Sequence, residues 1–140
     1  MKTRTIRQRI DFSADAHDLY EALMDSKKHS EFTRSKCVIS RKVGGKVSAY
    51  DGYITGENIE LVPDEKIIQK WKAEEDCWPA DHYSKVTFTL KQIKGGTRMT
   101  FTHSGVPVKC GGRFDTGWQE HYWTPMKEML ETKSRGRIRQ

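Results

Sequence analysis

No stretch of the 140-residue chain stays apolar for more than three consecutive residues, whereas a membrane-spanning helix needs about twenty. Membrane insertion is excluded on that count. A secretory signal is not expected either, because the basic start Met1-Lys2-Thr3-Arg4 is followed by no apolar core. Cysteine is scarce: Cys37, Cys77 and Cys110 lie 40 and 33 residues apart, so no pair has the short spacing of a zinc knuckle or a thioredoxin-like motif. Such a dispersed, odd-numbered set reads as small core or loop residues in a reducing, cytoplasmic compartment. A serine nucleophile elbow, a phosphate-binding glycine loop and a helical His-Glu zinc motif are all missing. The histidines His17, His29, His82 and His121 are too scattered to form a ligand set, so no metal or cofactor is expected.

Proline is limited to four residues and no linker, repeat or low-complexity tract divides the chain. The length suits one domain, which can bury roughly two-thirds of its unfolded surface without a disulfide or metal staple. A single domain is therefore expected over residues 1–132, with a basic, frayed tail over 133–140. Charge is unevenly spread along the sequence. Lys2, Arg4, Arg7 and Arg9 precede any acid, and Lys133, Arg135, Arg137 and Arg139 follow the last one, while residues 10–132 hold 17 bases against 19 acids. Without a basic stripe or interleaved aromatics in the body, the ends read as solvated charge and specific nucleic-acid binding is not expected.

What is present is periodicity. Residues Thr3 to Phe12 alternate as a half-buried strand does, with Ile6, Ile10 and Phe12 on one face. Ser13 is placed as the cap of a helix over Ala14 to Met24, where Ala16, Leu19, Tyr20 and Leu23 recur at helical spacing. A further helical turn through Lys28 and Phe32 is a weaker expectation. From Lys36 to His103 strands are separated by turn chemistry at Gly44-Gly45, Asp51-Gly52, Pro63-Asp64-Glu65 and Gly95-Gly96. The spacings are too short for parallel crossovers, which leaves an antiparallel meander. A closing helix follows Gly111-Gly112, capped by Asp115 or Thr116, with Trp118, Tyr122, Met126, Met129 and Leu130 as its apolar stripe. Pro125 inside it is expected to kink the helix or remove one hydrogen bond.

Seven segments in order carry a resemblance: Val43-Gly44-Gly45-Lys46, Asp51-Gly52-Tyr53-Ile54-Thr55-Gly56, Glu60-Leu61-Val62-Pro63, Ile67-Ile68-Gln69-Lys70-Trp71, Trp78-Pro79, Gly105-Val106-Pro107 and Gly117-Trp118-Gln119. Together they resemble the domain of the activator of the heat-shock protein 90 ATPase, within the START-like (SRPBCC) superfamily. The resemblance implies an α+β helix-grip fold, in which a curved antiparallel sheet wraps a long C-terminal helix and commonly leaves a cavity between them. It also implies a heat-shock protein 90-type chaperone as a possible partner, although the eukaryotic activator has a further N-terminal domain for which 140 residues leave no room.

Strand parity adds candidate site residues. If Ile59 and Leu61 face inward, so do Glu57, Thr55 and Tyr53; if Ile67 faces inward, so do Gln69 and Trp71; Met99 and Phe101 carry His103 with them. Tyr53, Glu57, Gln69, Trp71, Phe101 and His103, with Trp118 and Tyr122 from the closing helix, then form either a mostly apolar ligand pocket or a set of mutually satisfied core groups. Glu57 and His103 would be an acid and base pair only if they converge. Trp78 and Pro79, in a loop, guard the pocket mouth, meet a partner, or plug the end of the core. The reading placed first is a non-enzymatic domain holding a small hydrophobic or amphipathic ligand; its rival is a module that docks on the chaperone and stimulates its ATPase.

Overall fold

The computed structural model describes the backbone of residues 1–138 and the side chains of residues 1–132. The tail expected over 133–140 therefore falls where side chains lie outside the described residues. Strand β1 (Thr3–Phe12) leads into helices α1 (Ala16–Met24) and α2 (Ser26–Thr33). Strands β2 (Val38–Ile39), β3 (Lys46–Ala49), β4 (Ile54–Val62), β5 (Lys66–Ala73), β6 (Ser84–Ile93) and β7 (Gly96–Pro107) follow. A short 3-10 turn at Val108–Cys110 precedes helix α3 (Arg113–Trp118), which continues through a π turn (Gln119–Trp123) into α4 (Thr124–Ile138). All strand pairs are antiparallel, in the order β1-β7-β6-β5-β4-β3-β2. This is the curved helix-grip sheet with its C-terminal helix. The core lies between the inner sheet face and that helix: Phe88, Met99 and Phe101 from the sheet meet Trp118, Trp123 and Met126.

Local chemistry explains most boundaries, and two of them differ from expectation. Ser13 does not cap α1; Asp15 occupies that position without a side-chain bond, and the Ser13 amide donates instead to Glu131 at 3.1 Å. The weaker second helix is real, with Asp25 as its N-cap accepting from the Lys28 amide at 2.9 Å. The last helix begins at Arg113 with Gly112 as its N-cap, before either proposed cap, and Asp115 in its first turn is engaged by the Arg4 guanidinium from β1. Arg4 thus belongs to the folded body rather than to a solvated end, and Arg7 and Arg9 sit on the same strand.

Pro125 does not simply remove one bond. Just before it the helix widens, and the Thr124 amide reaches back five residues to the Gln119 carbonyl. Proline has no N–H for the His121 carbonyl four residues earlier. The Tyr50 hydroxyl fills that role from the β3–β4 turn, donating to His121 at 2.9 Å.

Strand β4 overturns the parity reading. Its register shifts between Asn58 and Glu60, which leaves Ile59 as an extra, 46% exposed residue. Counting back from Leu61 through that bulge places the wrong face inward. Ile54, Gly56 and Asn58 face the core, while Glu57 faces solvent and pairs with Lys70 at 3.0 Å. Gly56 is held by space: a Cβ there would collide with the Lys70 carbonyl of the neighbouring strand. Gly56→Ala is expected to cost about 1–3 kcal/mol, read as a lower denaturation midpoint. An unchanged midpoint would show that β4 and β5 can separate locally at no cost.

Candidate functional site

A pocket of about 350 Å³ opens at one end of the sheet, where the β3–β4 turn, the end of β5 and helix α3 meet. Its walls are aromatic: Tyr50 and Tyr53 from the turn, Trp71 from β5, and Phe114, Trp118 and Tyr122 from the closing helix. Trp71 and Trp118 stack at 4.9 Å, and Trp118 approaches Tyr122 at 4.6 Å. Gly117 forms part of the lining, with nothing within 4 Å of an added Cβ.

The polar atoms of Trp71, Trp118 and Tyr122 are bonded to residues outside the lining. The Trp71 indole donates to Gln69 Oε1 at 2.8 Å, Gln69 donates to Asn58 Oδ1 at 2.9 Å, and Asn58 donates to the Ser40 and Lys42 carbonyls at 2.7 and 2.9 Å. The Trp118 indole donates to His103 Nδ1 at 3.1 Å. That bond requires Nδ1 to be the unprotonated nitrogen, so Nε2–H donates to Ser84 Oγ at 2.7 Å and Ser84 in turn to the Trp71 carbonyl at 3.2 Å. The Tyr122 hydroxyl donates to His29 Nε2 at 2.9 Å, while His29 Nδ1–H donates to the Leu23 carbonyl at 3.0 Å. No buried side-chain nitrogen or oxygen among the described residues lacks a partner.

Polarity returns at the mouth. The Tyr53 hydroxyl donates to Glu75 Oε1 at 2.6 Å, and Arg113 donates to Glu75 Oε2 at 3.1 Å. Burial and the neighbouring Glu75 carboxylate both push the Tyr53 pKa upward, so the phenol stays protonated. Beside it, Cys77 and Cys110 form a disulfide with a Cα separation of 5.2 Å. This corrects the expectation of three separate thiols; only Cys37 is free, and it is buried. The bond ties the loop carrying Glu75 to the turn that starts α3, and it removes the support that cysteine spacing gave to a reducing compartment.

The candidate residues therefore divide by location. Tyr53, Trp71, Trp118 and Tyr122 come together around the pocket, whereas Gln69, Phe101 and His103 lie behind its wall in the core. Glu57 is on the opposite face of the sheet, so it does not converge with His103 and the acid and base pair does not form. Trp78 is 5% exposed, its indole donating to the His82 carbonyl at 2.8 Å and its ring packed on Phe114. It plugs the core, and only Pro79 of that pair is exposed. Sequence reasoning missed Asn58, concealed by the bulge, and Tyr50, whose role depends on a carbonyl 71 residues away.

Burial holds both core histidines neutral, His29 with a pKa lowered to about 4 and His103 to about 3. Unfolding restores an ordinary value near 6.5, so the unfolded chain binds more protons below that pH. Stability should be intact above about pH 6.5 and fall as pH drops toward 4, by about 1.4 kcal/mol per pH unit for each histidine. Denaturant titrations between pH 7.5 and 4.5 measure this slope, and His103→Gln should reduce it. A profile unaffected by that replacement would show that His103 is not held neutral.

Comparison with known proteins gives a consistent frame. The profile of the family described as Activator of Hsp90 ATPase homolog 1-like protein matches residues 13–131. The mouse Activator of 90 kDa heat shock protein ATPase homolog 2 is 32% identical over 120 residues, covering 86% of this chain and 36% of that protein. The human homolog 1 is 28% identical over 117 residues, covering 84% and 34%. The chain thus spans about a third of the length of these curated relatives. Among solved structures, an Hsp90 activator from Plasmodium falciparum superposes with a TM-score of 0.83 at 26% identity, over 91% of this chain and 96% of that one. The Aha1 dimer from Colwellia psychrerythraea shares the fold, with a TM-score of 0.76 at 19% identity over 91% and 96%. By the span of the family match, the chain belongs to the Activator of Hsp90 ATPase homolog 1-like family.

Proposed function

We propose that this chain is a non-enzymatic module that docks on a chaperone of the heat-shock protein 90 type and shifts its ATPase cycle. The observation carrying this reading is the end-to-end agreement with the Plasmodium falciparum Hsp90 activator, a chain of the same one-domain size. The curated relatives named as activators lend support over a third of their length. Activation requires binding one conformation of the chaperone better than another. A domain this small buries a modest interface, so the complex is weak and transient. Titrating the protein into a purified chaperone of this type should raise ATP turnover, with half-maximal effect at micromolar concentration. Neither binding nor stimulation at about 50 μM, where even weak complexes form, would end this reading.

A second reading rests on the pocket. Its volume lies at the low end of small-molecule sites, and its aromatic faces suit a flat apolar ligand, with Arg113 and Glu75 at the rim for a polar end. A naphthalene-based fluorescent probe should quench the tryptophans lining the pocket and raise the melting temperature, because it binds only the folded state. Gly117→Leu projects into the lining and should abolish probe binding while leaving the protein folded. Equal binding by both proteins would place the probe elsewhere and remove the pocket from consideration.

A further inference from the structure

The outer face of the sheet, turned away from the helices, collects positive charge that the sequence spreads along its length. Alternation places Arg7 and Arg9 of β1, Lys85 and Lys91 of β6, and Lys72 of β5 on this face. None of these five is within salt-bridge distance of an acid in the described structure. Four further bases there do have partners: Arg98 with Asp11, Lys66 with Glu60, and Lys70 and Lys46 with Glu57. The face thus holds nine bases and three acids. Outside this face, residues 1–132 hold 12 bases against 16 acids, so the excess of base in the domain is concentrated on it.

The positive groups are arranged around a low floor. In register, Arg7 stands beside Thr102 and Thr87, and Arg9 beside Thr100 and Thr89. These four threonines separate the arginines of β1 from the lysines of β6 and β5 by two to three strand spacings, about 10–14 Å. A partner can approach the floor and meet cations on both sides.

We propose that this outer sheet face docks a carboxylate-rich surface of a folded partner protein. The inference rests on the chaperone reading above and names the surface of this chain that serves it. A protein is favoured over nucleic acid because Asp11, Glu57 and Glu60 interrupt the face and would repel a continuous phosphate backbone. A protein surface can set bases of its own against those three acids. One exposed ring, Tyr83, lies under the Lys70 ammonium at 4.8 Å, and a single ring is one contact rather than a stacking platform for successive bases. Charge complementarity of this kind orients the encounter and speeds association more than it deepens affinity.

The test compares three proteins binding to a purified chaperone of the heat-shock protein 90 type in low and physiological salt. Arg7→Glu with Arg9→Glu and Lys85→Glu reverses the face. Lys27→Glu with Lys94→Glu and Lys109→Glu makes the same net change elsewhere, all at exposed positions. The face variant should bind at least about tenfold more weakly at low salt, and the control variant should stay within about threefold of the wild type. Melting temperatures confirm folding, and Arg7→Gln with Arg9→Gln and Lys85→Gln gives an intermediate loss should the glutamates disturb the strands. Binding of the wild type with no loss in the face variants overturns this proposal and leaves the chaperone reading standing. No wild-type binding to the chaperone ends both. Wild-type binding to a duplex oligonucleotide that face reversal abolishes, with none to the chaperone, reassigns the face to a phosphate polyanion.

Discussion

Three large polar aromatics, two on the closing helix and one on the sheet, can pack together in the core only because each has a hydrogen-bonding partner there. Trp118 bonds to His103, and Tyr122 to His29, while Trp71 on the facing strand bonds to Gln69. An indole or phenol buried without such a partner loses about 1–3 kcal/mol, so the two histidines and the glutamine are what make an aromatic wall affordable in the core. The same arrangement gives the pocket its character. With the polar tips turned away, ring faces are what remain on the cavity side, and selectivity for anything polar falls to Tyr53, Glu75 and Arg113 at the mouth.

Helix geometry depends on this wall as well. Trp118, Tyr122 and Trp123 must all point at the sheet, with Trp118 and Trp123 stacked at 5.4 Å. Spacings of four, five and one place such a set on a single face more readily when the turn is widened, and the π turn over Gln119–Trp123 supplies that widening. Pro125 fits immediately after it, since the helix has already given up regular pairing there. Tyr50 then closes the gap at His121 and stands as a pocket wall in the same act. Packing, backbone repair and cavity shape are therefore one problem at this end of the molecule.

Much of the fold was legible because β5, β6 and β7 alternate without interruption over the residues that matter. Their inward sets, including Gln69, Trp71, Phe101 and His103, follow directly from period-two reasoning. Strand β4 defeats the same reasoning, since one extra residue at Ile59 inverts the assignments of Thr55 and Glu57 on its far side. The site was legible in its aromatic members and illegible in its connections. Nothing local to Cys77 indicates Cys110, and nothing local to Trp78 separates a buried plug from an exposed contact. Both outcomes are set by how the Glu74 to His82 loop folds over the start of α3, a long-range event without a periodic signature.

Net charge shows the same separation between sequence order and space. Residues 10–132 are nearly neutral when counted along the chain, yet a strand sends alternate residues to opposite faces. Lys66, Ile68, Lys70 and Lys72 share one face of β5, and the inward face of that strand carries Ile67, Gln69, Trp71 and Ala73. Adjacent strands in register then add like to like, so that a modest excess in each strand becomes a charged surface across the sheet. Arg7 and Arg9 join it because β1 pairs with β7 rather than remaining a solvated end. Mutual repulsion among these bases is tolerated because Asp11, Glu57 and Glu60 are interspersed and the face is open to screening solvent. Covering the face with a partner would remove that screening, so the partner itself must bring negative charge.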